Sequence, residues 1–287
     1  MLKKGSALCA LSQLSIEEAN LIEPTLPAVL LEHACSLGSP IRVLEPRATN
    51  GNVNLLELVV LNHLVAHASP SVIFEMGTFD GRTTVNLAAN APKAKVFTID
   101  LPKSQVDNTA LSLEQSERYF IEKERSGARF AAHASTHQIT QLFGDTATFD
   151  FSTWYDKVDF VFVDASHAAA YVRNDTEIAL KMLRKGGMIV WHDYGSWTGV
   201  TEVLNAEVRE NVRLRNLVQI HPTTLAVCGP ESFRRIATSN DSQQARAYLK
   251  RYPDVQEGYD ETERLGAWKA LGHYLDFGSF EGRIWGV

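Results

Sequence analysis

The stretch Ser71-Val72-Ile73-Phe74-Glu75-Met76-Gly77-Thr78-Phe79-Asp80-Gly81 decides the fold. Its first six residues are a short apolar run that ends on a carboxylate, and they read as a strand. Arg82 to Asn90 follows with helical spacing, so Gly77 to Gly81 is a strand-to-helix turn. A dinucleotide fingerprint requires glycine at position 79, where backbone must approach a pyrophosphate. Phe79 stands there instead, which weighs against a phosphate-bearing cofactor. Gly77 and Gly81 still permit a tight bend and a close-packed helix start, and the acidic strand end favours a cationic ligand.

The same alternation extends outward. Lys95–Asp100 and Val158–Val163 read as strands, Tyr171–Arg184 as an amphipathic helix ended by Gly186-Gly187, and Met188–Trp191 as another buried strand. Runs apolar on both faces and joined by helices indicate a parallel sheet covered on both sides. Leu217–Ile220 and Thr224–Cys228, separated by His221-Pro222-Thr223, read as a closing hairpin. Before this core, Val53–Ala66 is apolar nearly all round, as in a buried helix. The expected fold is a doubly wound, Rossmann-like α/β domain over residues 51–230 with a seven-stranded, mostly parallel sheet. Residues 1–50, broken by Pro24, Pro27, Pro40 and Pro46, read as an N-terminal helical cap, and residues 231–287 as a linker and a small helical module.

Composition narrows the function. Lys and Arg number 28 against 34 Asp and Glu, a net charge of −6 that disfavours nucleic acid as a partner. Cys9, Cys35 and Cys228 show no paired spacing, which argues against a disulfide framework and a CxxC zinc site. No apolar run is long enough for a membrane span. The basic start is interrupted by Ser12, Gln13 and Ser15 before a signal-peptide core can form, so the chain reads as cytoplasmic.

Asp100 ends its strand 19 residues after Gly81, where a carboxylate can accept both hydroxyls of a ribose. A ribose without phosphate, carrying positive charge, describes S-adenosylmethionine. The sequence here resembles the class I S-adenosylmethionine-dependent methyltransferases, in particular the branch whose first motif is E-x-G-T-x-x-G-x-[ST], matched by Glu75 through Thr83. The resemblance includes Phe143-Gly144-Asp145-Thr146, Val163-Asp164-Ala165-Ser166-His167 and Trp191-His192-Asp193-Tyr194. It implies cofactor contacts from Glu75, Gly77, Thr78, Gly81, Thr83, Asp100, Asp145 and Asp164: Gly77 and Gly81 at the methionine end, Glu75 near its amino group, Asp100 on the ribose and Asp145 on the adenine.

Asp164, His167, His192 and Asp193 follow two buried strands, and ligands sit outside the carboxyl ends of strands in doubly wound sheets. Methyl transfer needs in-line alignment and removal of the acceptor's proton, for which histidine is suited near neutral pH. His192, His167 and Asp164 are the catalytic candidates. Asp164, His192 and Asp193 are alternatively a divalent-cation site, because relatives with acidic residues at these strand ends bind magnesium. His192 stands where those relatives have a carboxylate, which shifts preference toward a softer metal or none. His63 and His67 read as core or rim residues of the 53–66 helix, and Trp197 is placed to wall a substrate pocket.

The tail resembles a short module recurring in bacterial proteins of surface-polysaccharide assembly, through Tyr248-Leu249-Lys250-Arg251-Tyr252-Pro253-Asp254-Val255 and His273–Arg283. It implies a glycan-related role; a helical clip or a dimer contact is the alternative. The expected activity is S-adenosylmethionine-dependent O-methylation of a sugar, glycan or other small hydroxylated acceptor, in a chain that forms a homo-oligomer. A metal-dependent hydroxylase-like relative and a non-catalytic cofactor-binding or scaffold protein are the alternatives.

Overall fold

A computed structural model describes residues 40–133, 137–230 and 247–256, with 22, 24–26, 28–29, 31 and 38 before them and 281, 283 and 284 after them. Among the described residues, an eight-stranded sheet carries helices on both faces. In chain order the main elements are β1 (Ala28–Val29), α1 (Leu55–Ala68), β2 (Val72–Met76), α2 (Arg82–Asn90), β3 (Lys95–Asp100), β4 (Ile139–Phe143), β5 (Val158–Val163), α3 (Ala169–Met182), β6 (Leu183–Trp191), α4 (Thr198–Glu210), β7 (Val218–Ile220) and β8 (Ala226–Cys228). The strand order is β1-β7-β8-β6-β5-β2-β3-β4. Strands β6, β5, β2, β3 and β4 run parallel, and β8 is antiparallel to both β6 and β7.

The sequence expectation was seven strands. The eighth is β1, which adds parallel to the outer edge of β7 through Ala28↔Gln219 and Val29↔Ile220. It comes from the segment expected to be a helical cap. The rest of that segment's C-terminal part, residues 40–53, carries no helix and is a strap laid over α2. Pro40 and Pro46 disfavour helix there, and a stripe of polar side chains at i, i+4 and i+8 on α2 holds the strap instead. Asn90 and Asn86 accept from the amides of Arg42 and Leu44 at 2.7 and 2.8 Å and donate back to the same residues' carbonyls. Arg82, wholly buried, donates to the carbonyls of Glu45 and Val53 at 2.6 and 2.7 Å.

The two faces of the sheet bury separate cores, as strand alternation requires. Phe160, Phe162 and Val190 face α1 and α2 and pack with Leu58, Leu61, Leu64 and Leu87. Phe74, Val161, Ile189 and Trp191 face α3 and α4 and pack with Val172, Ala179, Val203 and Leu204. Complete burial of such side chains contributes roughly 1.5–3 kcal/mol each, which fixes the strand ends that form the site. The chain runs β2, β3, β4 to one side, then returns to place β5 on the other side of β2. That reversal opens a crevice at the β2/β5 tips. Among the described residues no helix is long and apolar enough to cross a membrane.

Of the C-terminal module, the described part is helical over 247–251 and at Pro253–Gln256, with Tyr248 and Leu249 buried. Asp254 pairs with Arg283 at 2.8 Å, and Arg283 lies 4.9 Å from the Tyr252 ring centre. Most of the rest of the module expected over 231–287 lies outside the described residues.

Candidate active site

Three strand tips in register set the floor of the site. Met76 pairs with Val163 and Val163 with Trp191, so Gly77, Asp164 and His192 emerge side by side. The amides of Asp164 and His192 continue the ladder to the carbonyls of Met76 and Val163 at 2.8 and 3.1 Å. Gly77 has φ +95, and a Cβ there would lie 1.9 Å from the Asp164 carbonyl oxygen. No other residue fits between these two tips. Phe79 (φ 48) and Asp193 (φ 65) also adopt left-handed backbone, a cost tolerated where surrounding structure fixes the geometry.

Above this floor is a cavity of about 330 Å³. Gly77, Asp100, Asp145, Asp164, His167, His192, Asp193 and Trp197 all line it. Glu75, Thr78, Gly81 and Thr83 do not. Glu75 is completely buried beneath the turn, where Oε2 accepts from Thr84 Oγ1 and from Thr98 Oγ1 (2.6 Å) while Oε1 has no partner. Burial pushes its carboxyl up to about 8, with Asp164 and Asp100 adding to the rise. Thr78 Oγ1 bonds Thr98 Oγ1 at 2.7 Å inside the fold. Gly81 caps α2 with φ +87 and is covered by Phe130, whose Cε1 lies 2.3 Å from where a Cβ would be.

The histidines form a continuous array with carboxylates. His192 Nδ1 lies 3.0 Å from both Asp164 Oδ1 and Asp193 Oδ2, and its Nε2 lies 3.1 Å from Glu57 Oε2. His167 Nε2 lies 2.8 Å from Asp193 Oδ2 and its Nδ1 3.0 Å from Glu117 Oε1, and the ring stacks on Trp197 at 4.0 Å. Burial alone would lower both imidazoles. For His192 the charge of Asp164 and its hydrogen bonds prevail and raise it well above the ordinary value. For His167 the bonds to Asp193 and Glu117 raise it to about 9. The same contacts hold Glu57 down at about 2 against its own burial.

Glu57 and Glu117 are the site residues that sequence reasoning missed. Each is the third residue of a capping box, with Asn54 and Glu114 as the caps, and that signal marks a helix start. It says nothing of a histidine 135 residues away.

The cavity's other end carries Asp100 and Asp145. Asp100 Oδ2 faces Lys123 Nζ at 2.7 Å, and that ammonium also lies 5.6 Å from the Phe79 ring centre. Asp145 accepts from the amides of Ala110 and Ala147 and from Tyr171 Oη at 2.7, 2.9 and 2.9 Å, and two oxygens with four lone-pair sites leave capacity for one more donor. A phosphate-free nucleoside fits this arrangement, with carboxylates for hydroxyls and an amino group and acidic side chains for a positive centre. For a cation, Asp164, His167 and Asp193 present ligand atoms all within 4.8 Å of one another.

Residues 74–194 match a family model described as a methyltransferase domain. None of the curated proteins matches the chain. Among solved structures, the S-adenosylhomocysteine-bound methyltransferase PaMTH1 of Podospora anserina is similar at TM-score 0.47 and 13% identity, covering 62% of this chain and 79% of its own. The O-methyltransferase TomG of Streptomyces achromogenes, solved with its cofactor, is similar at TM-score 0.43 and 18% identity, covering 65% and 92%. An O-methyltransferase of Bacillus cereus gives TM-score 0.40 and 15% identity, covering 64% and 82%. None of the three reaches a TM-score of 0.5, and the assignment rests on the family match, which falls on the strands, turn and tips that build the cavity. Over residues 74–194 the chain is similar to a methyltransferase domain.

Proposed function

We propose that the chain is an O-methyltransferase acting on a hydroxyl of a sugar or similar small acceptor. The observation that carries this reading is the convergence of Gly77, Asp164, His167, His192 and Asp193 on the floor of one cavity whose far end holds Asp100 and Asp145. In this reading Gly77 and Asp164 face the methionine end of the cofactor, Asp100 its ribose and Asp145 its adenine; Glu75 supports the turn from below. Bound there, S-adenosylmethionine supplies a methyl carbon made electrophilic by a sulfonium.

The chain's own residues orient the acceptor and take its proton. Both imidazoles hold a proton in the protein as it stands, because carboxylates flank them. His192 accepts the acceptor's proton only after releasing this one, which added positive charge at Asp164 and Asp193 favours. The aromatic wall of Phe79, Phe120 and Trp197, with Asn50 and Asn52 at its edges, suits a ring with an apolar face and hydroxyl edges. The resemblance of the tail motif supports a glycan setting, and its Asp254 and Arg283 pair with each other. The module over 231–287 then serves glycan engagement or contact between copies of the chain.

A second reading is favoured by the clustering of Asp164, His167 and Asp193, which would hold a divalent cation able to orient the acceptor hydroxyl and acidify it. The three ligands first expected, Asp164, His192 and Asp193, also converge, and each histidine has a glutamate on its other nitrogen, Glu57 for His192 and Glu117 for His167. The test is transfer of labelled methyl from S-adenosylmethionine to hydroxylated acceptors, including cell-envelope sugars. His192→Ala lowers transfer about 10²- to 10⁴-fold while sparing cofactor affinity. An unchanged rate removes His192 from the mechanism, and transfer that survives a chelator removes the metal.

A further inference from the structure

We propose that Glu117 is a positioning residue of the methyl-transfer site, supplied by the segment between β3 and β4 rather than by the sheet. This rests on the reading of the cavity as a methyl-transfer site that uses His167. Residues 101–133 lead from β3 toward β4 across the mouth of the cavity, and among their described carboxylates Glu117 is the buried one, at 3% exposure. A carboxylate is costly to bury unless it is fully partnered, and its partners are those of a built site. Oε2 accepts from Ser166 Oγ at 2.9 Å and from the Glu114 amide at 3.0 Å. Oε1 accepts from the His167 amide and lies 3.0 Å from His167 Nδ1.

The consequence falls on the His167 ring. One edge is held by Asp193 at Nε2, one face lies flat on Trp197 with 9° between the planes, and Glu117 closes the remaining edge at Nδ1. With a carboxylate at each nitrogen the ring is held by both of its edges. Glu117 thus fixes the orientation of the ring and aims Nε2 at Asp193 and the cavity. Because Glu117 opens the helical turn Arg118–Ile121, whose Phe120 also lines the cavity, seating of this segment and orientation of His167 occur together.

The test compares Glu117→Ala and Glu117→Gln with the unmodified chain, reading side-chain ¹⁵N resonances of His167 in the free protein and, on an accepted acceptor, kcat and KM separately. The alanine variant is expected to lose the Nδ1 contact and to show shifted, broadened His167 ring resonances, as for a ring no longer held in one orientation. Its kcat falls about 10- to 100-fold, with KM and affinity for S-adenosylhomocysteine within about threefold. Glutamine, which still offers an acceptor oxygen to Nδ1 and is the fallback where alanine disturbs folding, is expected to restore most of both. His167 resonances that are the same in all three proteins overturn the proposal. A chain that binds no S-adenosylhomocysteine refutes the methyltransferase site instead, and the resonances still decide whether Glu117 holds His167.

Discussion

The wall of the cavity made by strand tips and the wall made by residues 101–133 both present charged groups to the same space, yet different forces hold them. Gly77, Asp164 and His192 are tied to one another by ladder hydrogen bonds and to two buried cores. The opposite wall is attached by ion pairs, Lys123 to Asp100, Arg129 to Asp80 and Glu45, and Glu117 to His167, with two backbone bonds from Gly127 and Arg129 to the Phe79–Asp80 turn. The partly exposed pairs of Arg129 contribute about 0–1 kcal/mol each, far less than a packed strand. The difference teaches that damage to the first wall spreads through the fold, while damage to the second stays local and shows in ligand binding.

Four changes sharpen or break that contrast. Gly77→Ala should be the most severe, costing at least about 3 kcal/mol in denaturant unfolding, because a left-handed residue gains a Cβ inside the neighbouring tip's carbonyl. A cost under about 1 kcal/mol would show that the tips can part.

Glu75→Gln probes the same wall through pH. A carboxyl raised to about 8 stays protonated in the folded chain, whereas the unfolded chain releases the proton near 4.5. Stability therefore falls as pH rises from 4.5 through 8, by up to a few kcal/mol at about 1.4 kcal/mol per pKa unit. His167, raised to about 9, contributes stability that is also lost with rising pH, between 6.5 and 9, in both proteins. The difference between the two melting curves isolates Glu75. The glutamine variant should gain on the parent chain at pH 9 and show no gain at pH 4; parallel curves would contradict the buried neutral carboxyl.

On the other wall, Lys123→Met leaves Asp100 without its cation until a ligand arrives. Calorimetry should show S-adenosylhomocysteine binding about 3- to 10-fold tighter, since the ribose no longer competes with an ammonium. Weaker binding would make Lys123 a ligand contact. Arg129→Ala should be mildest, below about 1 kcal/mol globally, yet limited proteolysis within 101–133 should quicken several-fold.

These contrasts also explain what could be read before the structure. The bounds of β3, β5 and α2 coincide with the apolar and helical runs, because buried elements flanked by turns are strongly patterned. Strand β4 carries no strand pattern of its own, because Thr140 and Gln141 sit on a half-exposed edge, and Phe143-Gly144-Asp145 entered only as a motif of the resemblance. The strap over α2 was hidden because Arg82, Asn86 and Asn90 look like a polar helix face, and only tertiary structure shows the backbone they satisfy. Strand-tip residues of the site follow a fixed spacing from their strands. Glu57 and Glu117 arrive from elements whose local signals concern capping alone, and Gly81 lies under Phe130 from a segment with no regular pattern.

Isothermal titration of the chain with S-adenosylhomocysteine, alongside NAD and ATP, tests the central claim most directly. The account predicts one site for the phosphate-free nucleoside and no binding of either phosphate-bearing nucleotide, with Asp100→Ala abolishing the heat. Binding of a nucleotide phosphate at the Gly77 turn, or no heat with S-adenosylhomocysteine, would contradict it.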